Sequence, residues 1–158
     1  MANTQAMATS FLGELLTGTH NFGVAPIRAA STADSFKAAL YLTSATLNAS
    51  TTVYSVTGEV TGAGYTAGGV AVTNATVPAA TNSSTTAGVA YWTPSASITY
   101  TTVTLTTSFD TLLVYNSTQS NKAVSIHTFG AQTITAGTFT LTMPANTTST
   151  ALLRLATT

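Results

Sequence analysis

The 158-residue chain contains no cysteine and only eight charged side chains: Glu14, Arg28, Asp34, Lys37, Glu59, Asp110, Lys122 and Arg154. The missing cysteine excludes disulfides, thiolate metal sites and thiol nucleophiles, and it leaves the redox compartment open. The scarcity of charge excludes more. An ordinary soluble domain is about a quarter charged, whereas this chain stands at 5%. Four scattered basic residues cannot neutralise a run of phosphates, so nucleic acid is not an expected partner. A charge-rich disordered tail is excluded too, because 44% of residues are apolar. No stretch approaches the roughly 18 consecutive apolar residues of a membrane-crossing helix, so no membrane partner is expected. The start, MANTQAMATS, lacks the basic and apolar regions of a secretory signal. A net charge of zero gives little protection against self-association, which makes a homo-oligomer the expected state.

What fills the vacated positions is threonine, alanine and serine, at 37, 26 and 15 residues, and the threonines fall in a pattern. From residue 36 onward apolar and polar residues alternate with period two, as in half-buried antiparallel strands. Candidate strands lie at 36–44, 53–60, 98–106, 111–116, 122–129, 137–143 and 151–156. The alternation is cleanest in GTFTLTM, with Phe139, Leu141 and Met143 on one side and Thr138, Thr140 and Thr142 on the other. Threonine is β-branched and offers a neutral polar face, so it suits the solvent side of such strands. A mucin-like Ser/Thr stalk would lack the alternating Val, Leu, Ile and Phe.

Two regions break the pattern. SFLGELLTG at 10–18 reads as a short helix, with Phe11, Leu12, Leu15 and Leu16 on one face, Ser10 at its start and Gly18 at its end. A helix so short must dock on something to persist. The stretch 61–97 is rich in Gly, Ala, Ser and Thr and reads as an excursion, strand-like only around 69–73 and 88–93. The expected architecture is therefore mainly β. It comprises an N-terminal arm at 1–35 carrying the short helix, then an antiparallel β-sandwich or jelly-roll-like domain of about seven or eight strands at 36–158.

Catalytic and metal chemistry have little to draw on. The histidines are His20 and His127, and the carboxylates are Glu14, Asp34, Glu59 and Asp110. No G-x-S-x-G elbow supports a nucleophilic serine, and no pair of ligand residues stands at zinc or calcium spacing. His127 follows Ser125 and Ala123 on the small, polar side of its strand and reads as a hydrogen-bonded side chain, while His20 reads as a partner of the helix C-terminus. Gly62, Gly64, Gly68 and Gly69 miss the phosphate-loop spacing and read as turn residues with positive φ. Five Asn-x-Ser/Thr sequons, at Asn48, Asn74, Asn82, Asn116 and Asn146, follow from the composition. The chain is therefore expected to be no enzyme and to carry no cofactor or metal. Candidate interface residues are the apolar side chains of the arm, Phe11, Leu12, Leu15, Leu16 and Phe22, together with Tyr91 and Trp92, which leave the excursion.

Several runs resemble a family of small virion structural proteins of tailed bacteriophages. The family pattern F-x-x-E-L-L-x-G-x-H-x-F is met by FLGELLTGTHNF at 11–22, and F-K-x-A-L-Y by FKAALY at 36–41. The more specific Y-x-x-x-G-E-V-x-G-x-G-Y-x-A-G-G is met by YSVTGEVTGAGYTAGG at 54–69, and L-x-Y-N with a following A-V by LLVYNSTQSNKAV at 112–124. TAGTFTLTMPAN at 135–146 closes the match, which covers most of the chain, while PIRAAS at 26–31 and the Ala/Thr-rich 74–97 depart from the pattern. The resemblance implies a non-enzymatic virion protein made in the bacterial host cytoplasm. The leading expectation is a capsid decoration (cement) protein on the outside of the phage head, bound to the major capsid protein and trimeric on local threefold axes. A tail, adaptor or fibre-attachment component is the alternative. A carbohydrate-binding module with Tyr91 and Trp92 as a stacking platform is a third reading, drawn from those two residues alone.

Overall fold

The fold is taken from a computed structural model, which describes residues 3–8, 11, 15, 18–20, 22, 33–73, 78–81 and 88–156. The described chain is mainly β and forms two antiparallel sheets. In chain order the strands are β1 (Ala6–Met7), β2 (Phe36–Leu42), β3 (Val70–Ala71), β4 (Ala79–Thr81), β5 (Val89–Trp92), β6 (Ile98–Asn116), β7 (Lys122–Leu141) and β8 (Leu153–Ala156). The larger sheet has the order β1-β7-β6-β2-β3, and the smaller one β4-β5-β8.

The long hairpin β6–β7 organises the molecule. Expected strands at 98–106 and 111–116 are one 19-residue strand, and those at 122–129 and 137–143 fuse into one of 20 residues. The reason is bulging. Register between β6 and β7 shifts between Tyr100 and Val103, Val103 and Leu105, Leu105 and Phe109, Phe109 and Thr111, and Val114 and Tyr115. Each bulge resets the period-two phase, so one strand reads in sequence as several. Thr102 and Ala136 take positive φ, 54° and 45°, at two of these irregularities. The hairpin turn is closed by Asn116, whose Oδ1 accepts the amides of Thr118 and Gln119, both at 3.1 Å, while Ser120 and Asn121 take left-handed φ.

The expected strand at 53–60 is a correction. Val53 and Glu59 make isolated bridges to Lys122 and Tyr41, and a turn at 56–59 with Gly58 at φ 79° separates them. The segment is a clasp rather than a ladder strand, because its backbone bonds alternate between partners. The Tyr54 amide donates to Asn121 O, while the Leu42 amide donates to Gly58 O. The expected strand at 151–156 is shorter than foreseen, and the excursion holds β3, β4 and β5. Phe11 and Leu15 are helical among the described residues. Most of 10–18, and of the arm 1–35, lies outside them, although Gly18 does take φ 69° and its amide donates to Leu15 O at 3.2 Å.

Both faces of the larger sheet are covered where β2, β6 and β7 lie side by side. Along β2, Phe36, Ala38 and Leu40 alternate with Lys37, Ala39 and Tyr41. On the Phe36 side, Phe22 stacks on Phe36 with centroids 4.6 Å apart, and Trp92 of β5 reaches Phe22 at 4.7 Å and Phe36 at 6.4 Å. On the other side, Tyr54 stacks on Tyr115 of β6 at 4.6 Å. At the far end of the hairpin Phe109, Phe129 and Phe139 form a third aromatic group, with centroids 4.9–5.9 Å apart.

The N-terminal residues are tied down. Asn3 Nδ2 donates to Asp110 Oδ1 at 2.8 Å and to Leu42 O at 3.3 Å, and its Oδ1 accepts the Leu47 amide at 3.0 Å. Next to it β1 adds to the edge of β7, Ala6 opposite Ile126 and Met7 opposite Ser125.

Candidate functional site

Three groups of ionisable and polar side chains were candidates for chemistry, and each is engaged in holding the fold. The first is built by the run GEVTGAGYTAGG at 58–69, which passes along the edge of β2 and then over β6. Glu59 is 6% exposed. Its Oε2 accepts from the Tyr54 hydroxyl at 2.6 Å, and its Oε1 accepts from the Tyr65 hydroxyl and the Gly68 amide, both at 2.7 Å. A buried carboxylate needs such donors. Around it Tyr115 donates to Gly68 O at 2.8 Å, Tyr100 to Ala38 O at 2.5 Å, and Tyr41 to Ser55 O at 2.5 Å. Burial, with the nearby Glu59 charge adding to it, raises the phenols of Tyr41, Tyr54, Tyr65, Tyr100 and Tyr115 above their ordinary value.

Of the glycines read as turn residues, Gly64, Gly68 and Gly69 take positive φ. Gly62 is required for space instead, since a Cβ there would overlap the Thr104 carbonyl. The run is therefore a structural clasp that sequence reasoning saw only as turns. Its signal was one acidic residue and one tyrosine set among glycines in a chain nearly devoid of charge.

The second group joins the N-terminal segment to the hairpin turn. Asn116 Nδ2 lies 2.7 Å from Asp34 Oδ2 and 3.0 Å from His20 Nδ1, and Gln119 Nε2 donates to Asp34 Oδ1 at 3.2 Å. His20 also packs on Phe11 at 4.8 Å and reaches Phe22 at 6.2 Å. The third group is Ser125 and His127, whose Oγ and Nε2 lie 2.9 Å apart. Desolvation lowers the His127 imidazole from 6.5 to about 4. A neutral imidazole within hydrogen-bond reach of a serine resembles half of a nucleophilic pair, but Ser125 is buried at 5% exposure and presents no hydroxyl to a substrate. Among the described residues no group of three or more His, Cys, Asp or Glu could hold a metal ion. No helix among them is long and apolar enough to cross a membrane.

The candidate interface residues distribute unevenly. Phe11, Phe22 and Trp92 are core residues in the folded chain, at 0%, 8% and 4% exposure, where aromatic packing consumes them. Leu15 is half-buried against the same core and Tyr91 is half-buried on β5, while Leu12 and Leu16 lie outside the described residues. A sugar-stacking platform needs an exposed ring face. Trp92 turns its ring onto Phe22 and Phe36, so the third reading loses its observation.

The exposed large hydrophobics among the described residues are Val53, Val56 and Leu155. Val53 lines an open cavity of about 560 Å³ between the loops 44–47 and 51–58, floored by Tyr41 and Leu113. A smaller one of about 330 Å³, lined by 93–97 and 143–146, is bordered by Ser, Thr, Pro and Asn and holds no ionisable group. The surface with the most distinctive chemistry is the distal half of β7. Over 130–141 no side chain is charged, and Thr133, Thr135, Thr138 and Thr140 are all exposed. No family model, curated protein or solved structure matches the chain.

Proposed function

We propose that this chain is a non-enzymatic virion structural protein, a capsid decoration protein that binds the outside of a phage head and bridges major capsid protein subunits. The observation that carries this reading is the uncharged, threonine-covered distal half of β7 on a body whose buried polar groups are spent on internal bonds. A neutral strand surface associates by shape, apolar burial and backbone hydrogen bonds, which suits many identical copies packed side by side. The resemblance of residues 54–69 to small virion proteins supports the same reading.

The reading includes a sandwich-like arrangement of the two sheets, supported by Trp92 of β5 lying on Phe36 of β2. It also includes a homo-oligomer, trimeric on local threefold axes, and a location on the virion. The test is copy number in purified particles by quantitative mass spectrometry. Hundreds of copies support decoration. Six or twelve copies overturn it and place the protein in the tail, as an adaptor or fibre-attachment component. A second consequence is salt tolerance: with so few charges, the protein should stay on particles in about 0.5 M salt.

A further inference from the structure

We infer that the distal edge of β7 pairs with the same edge of a second copy, antiparallel and across a two-fold axis, through residues 137–143. The contact is separate from any threefold contact of a decoration protein, and it holds for the isolated chain whether or not the virion reading does. β1 and the following Ala8, whose amide donates to Val124 O at 3.2 Å, cover the outer edge of β7 over Val124–Ile126. Beyond that point, among the described residues, β7 has β6 on one side and no strand on the other. Among the described residues no backbone of another strand bonds that side, which is the arrangement that accepts an added strand.

The occupant follows from the chemistry of the edge. Natural edges repel their own kind with charged side chains or proline, and 128–143 contains neither. Bulges do interrupt the edge nearer its middle, where Ala136 takes positive φ and the register shifts between Ile134 and Gly137. The last shift lies between the Gly137 and Phe139 pairings, where the extra residue is on β6 at Thr102; beyond it Phe139, Thr140 and Leu141 pair in steady step with Tyr100, Thr99 and Ile98. There the side chains alternate cleanly. Thr138, Thr140 and Thr142 are exposed, while Phe139, Leu141 and Met143 are half-buried against the core.

A strand with this pattern is complementary to itself. In an antiparallel pair centred on Thr140, Phe139 faces Leu141 of the copy and Thr138 faces Thr142. The half-buried apolar stripe then continues across the axis, and threonine meets threonine on the outer side. With no charge on either strand, no like charges are opposed. The same surface patch serves both copies, as a two-fold contact requires.

The chain is free of cysteine, so single-cysteine variants report the contact cleanly. Directly opposed residues in an antiparallel pair have Cα atoms about 4.5–5.5 Å apart, within disulfide reach. Under mild oxidation Thr140→Cys, the position that faces itself across the axis, is expected to form a covalent dimer at least about tenfold faster than the exposed control Thr57→Cys, because pairing raises the local thiol concentration, whereas Thr138→Cys, four residues out of register with its own copy, is expected to stay near the control rate. Sedimentation of the unmodified chain should show a concentration-dependent dimer, and the double variant Thr138→Lys/Thr140→Lys should sediment as a folded monomer by circular dichroism.

Three results would each overturn the inference: cross-linking of Thr140→Cys at the control rate, a wild-type chain that forms no dimer across the concentration series, or a dimer that survives the double lysine substitution. None of them bears on copy number in particles, so the virion reading stands or falls separately.

Discussion

The hydroxyl of Tyr65 donates to Glu59 Oε1 at 2.7 Å and at the same time accepts the amide of Leu40 at 3.1 Å. One side chain thus satisfies a buried carboxylate from the clasp and a backbone donor from the middle of β2. Tyr65→Phe removes both bonds and leaves the amide and one carboxylate oxygen short of a partner. The expected cost is roughly 2–3 kcal/mol, since hydrogen bonds to charged groups and orphaned buried donors lie at the upper end of the range. Tyr54→Phe removes one bond at a more exposed position and should cost about 1 kcal/mol. Urea unfolding checks both: midpoints should fall in that order with unchanged slopes, and equal losses would show that Leu40 gains nothing from Tyr65.

Gly69 and Gly130 make a matched pair of glycine tests. At Gly69, φ is 69° and an added Cβ would overlap the Ala38 carbonyl, where the clasp crosses β2. At Gly130 nothing lies within 4 Å of such a Cβ. Gly69→Ala should therefore destabilise by more than about 4 kcal/mol or prevent folding, because backbone cannot move aside. Gly130→Ala should stay within about 0.5 kcal/mol of the wild type. Thermal unfolding of the two variants decides the matter, and a tolerated Gly69→Ala would mean that the clasp does not lie on β2 as described.

The β class, the strands containing Phe36–Leu42 and Lys122–Leu141, and the positive φ of Gly64, Gly68 and Gly69 were legible in the sequence, because alternation and glycine chemistry act locally. The continuity of the hairpin was not, since bulges at Thr102 and Ala136 reset the phase that alternation depends on. The role of Glu59 was hidden for a different reason. Its donor Tyr54 is close in sequence, but the group that closes over it includes Tyr100 and Tyr115, brought in by long-range pairing. Phe11, Phe22 and Trp92 were read as contact residues because aromatics favour interfaces and cores alike, and only tertiary packing distinguishes the two.

Trp92 ties the small sheet to the large one. Its ring meets Phe22 and Phe36, while its backbone pairs with Leu153 of β8. A three-stranded sheet of such short strands is marginal without a covered face. Trp92→Ala should cost about 3–5 kcal/mol, the range for deleting a large buried ring. The near-ultraviolet dichroism of the remaining aromatics should also weaken, since Phe22 and Phe36 lose their neighbour. A variant with wild-type stability would show that the small sheet is held elsewhere.

His127 supplies an acid-sensitive element whose sign follows from its burial. Desolvation lowers the imidazole from 6.5 to about 4, and the neutral ring lies within hydrogen-bond reach of the Ser125 hydroxyl. Above pH 6.5 the ring is neutral in both folded and unfolded chains, so this group adds no pH dependence. Between 6.5 and 4 the unfolded chain takes up a proton that the folded chain refuses, and stability falls as pH falls. Below 4 both forms are protonated and the loss is complete, on the order of 1–3 kcal/mol. His127→Gln keeps an acceptor for Ser125 and removes the titration. Urea midpoints at about pH 7.5 and about pH 4.5 should therefore drop less in the variant than in the wild type. Equal drops would show that His127 is not the acid-sensitive element.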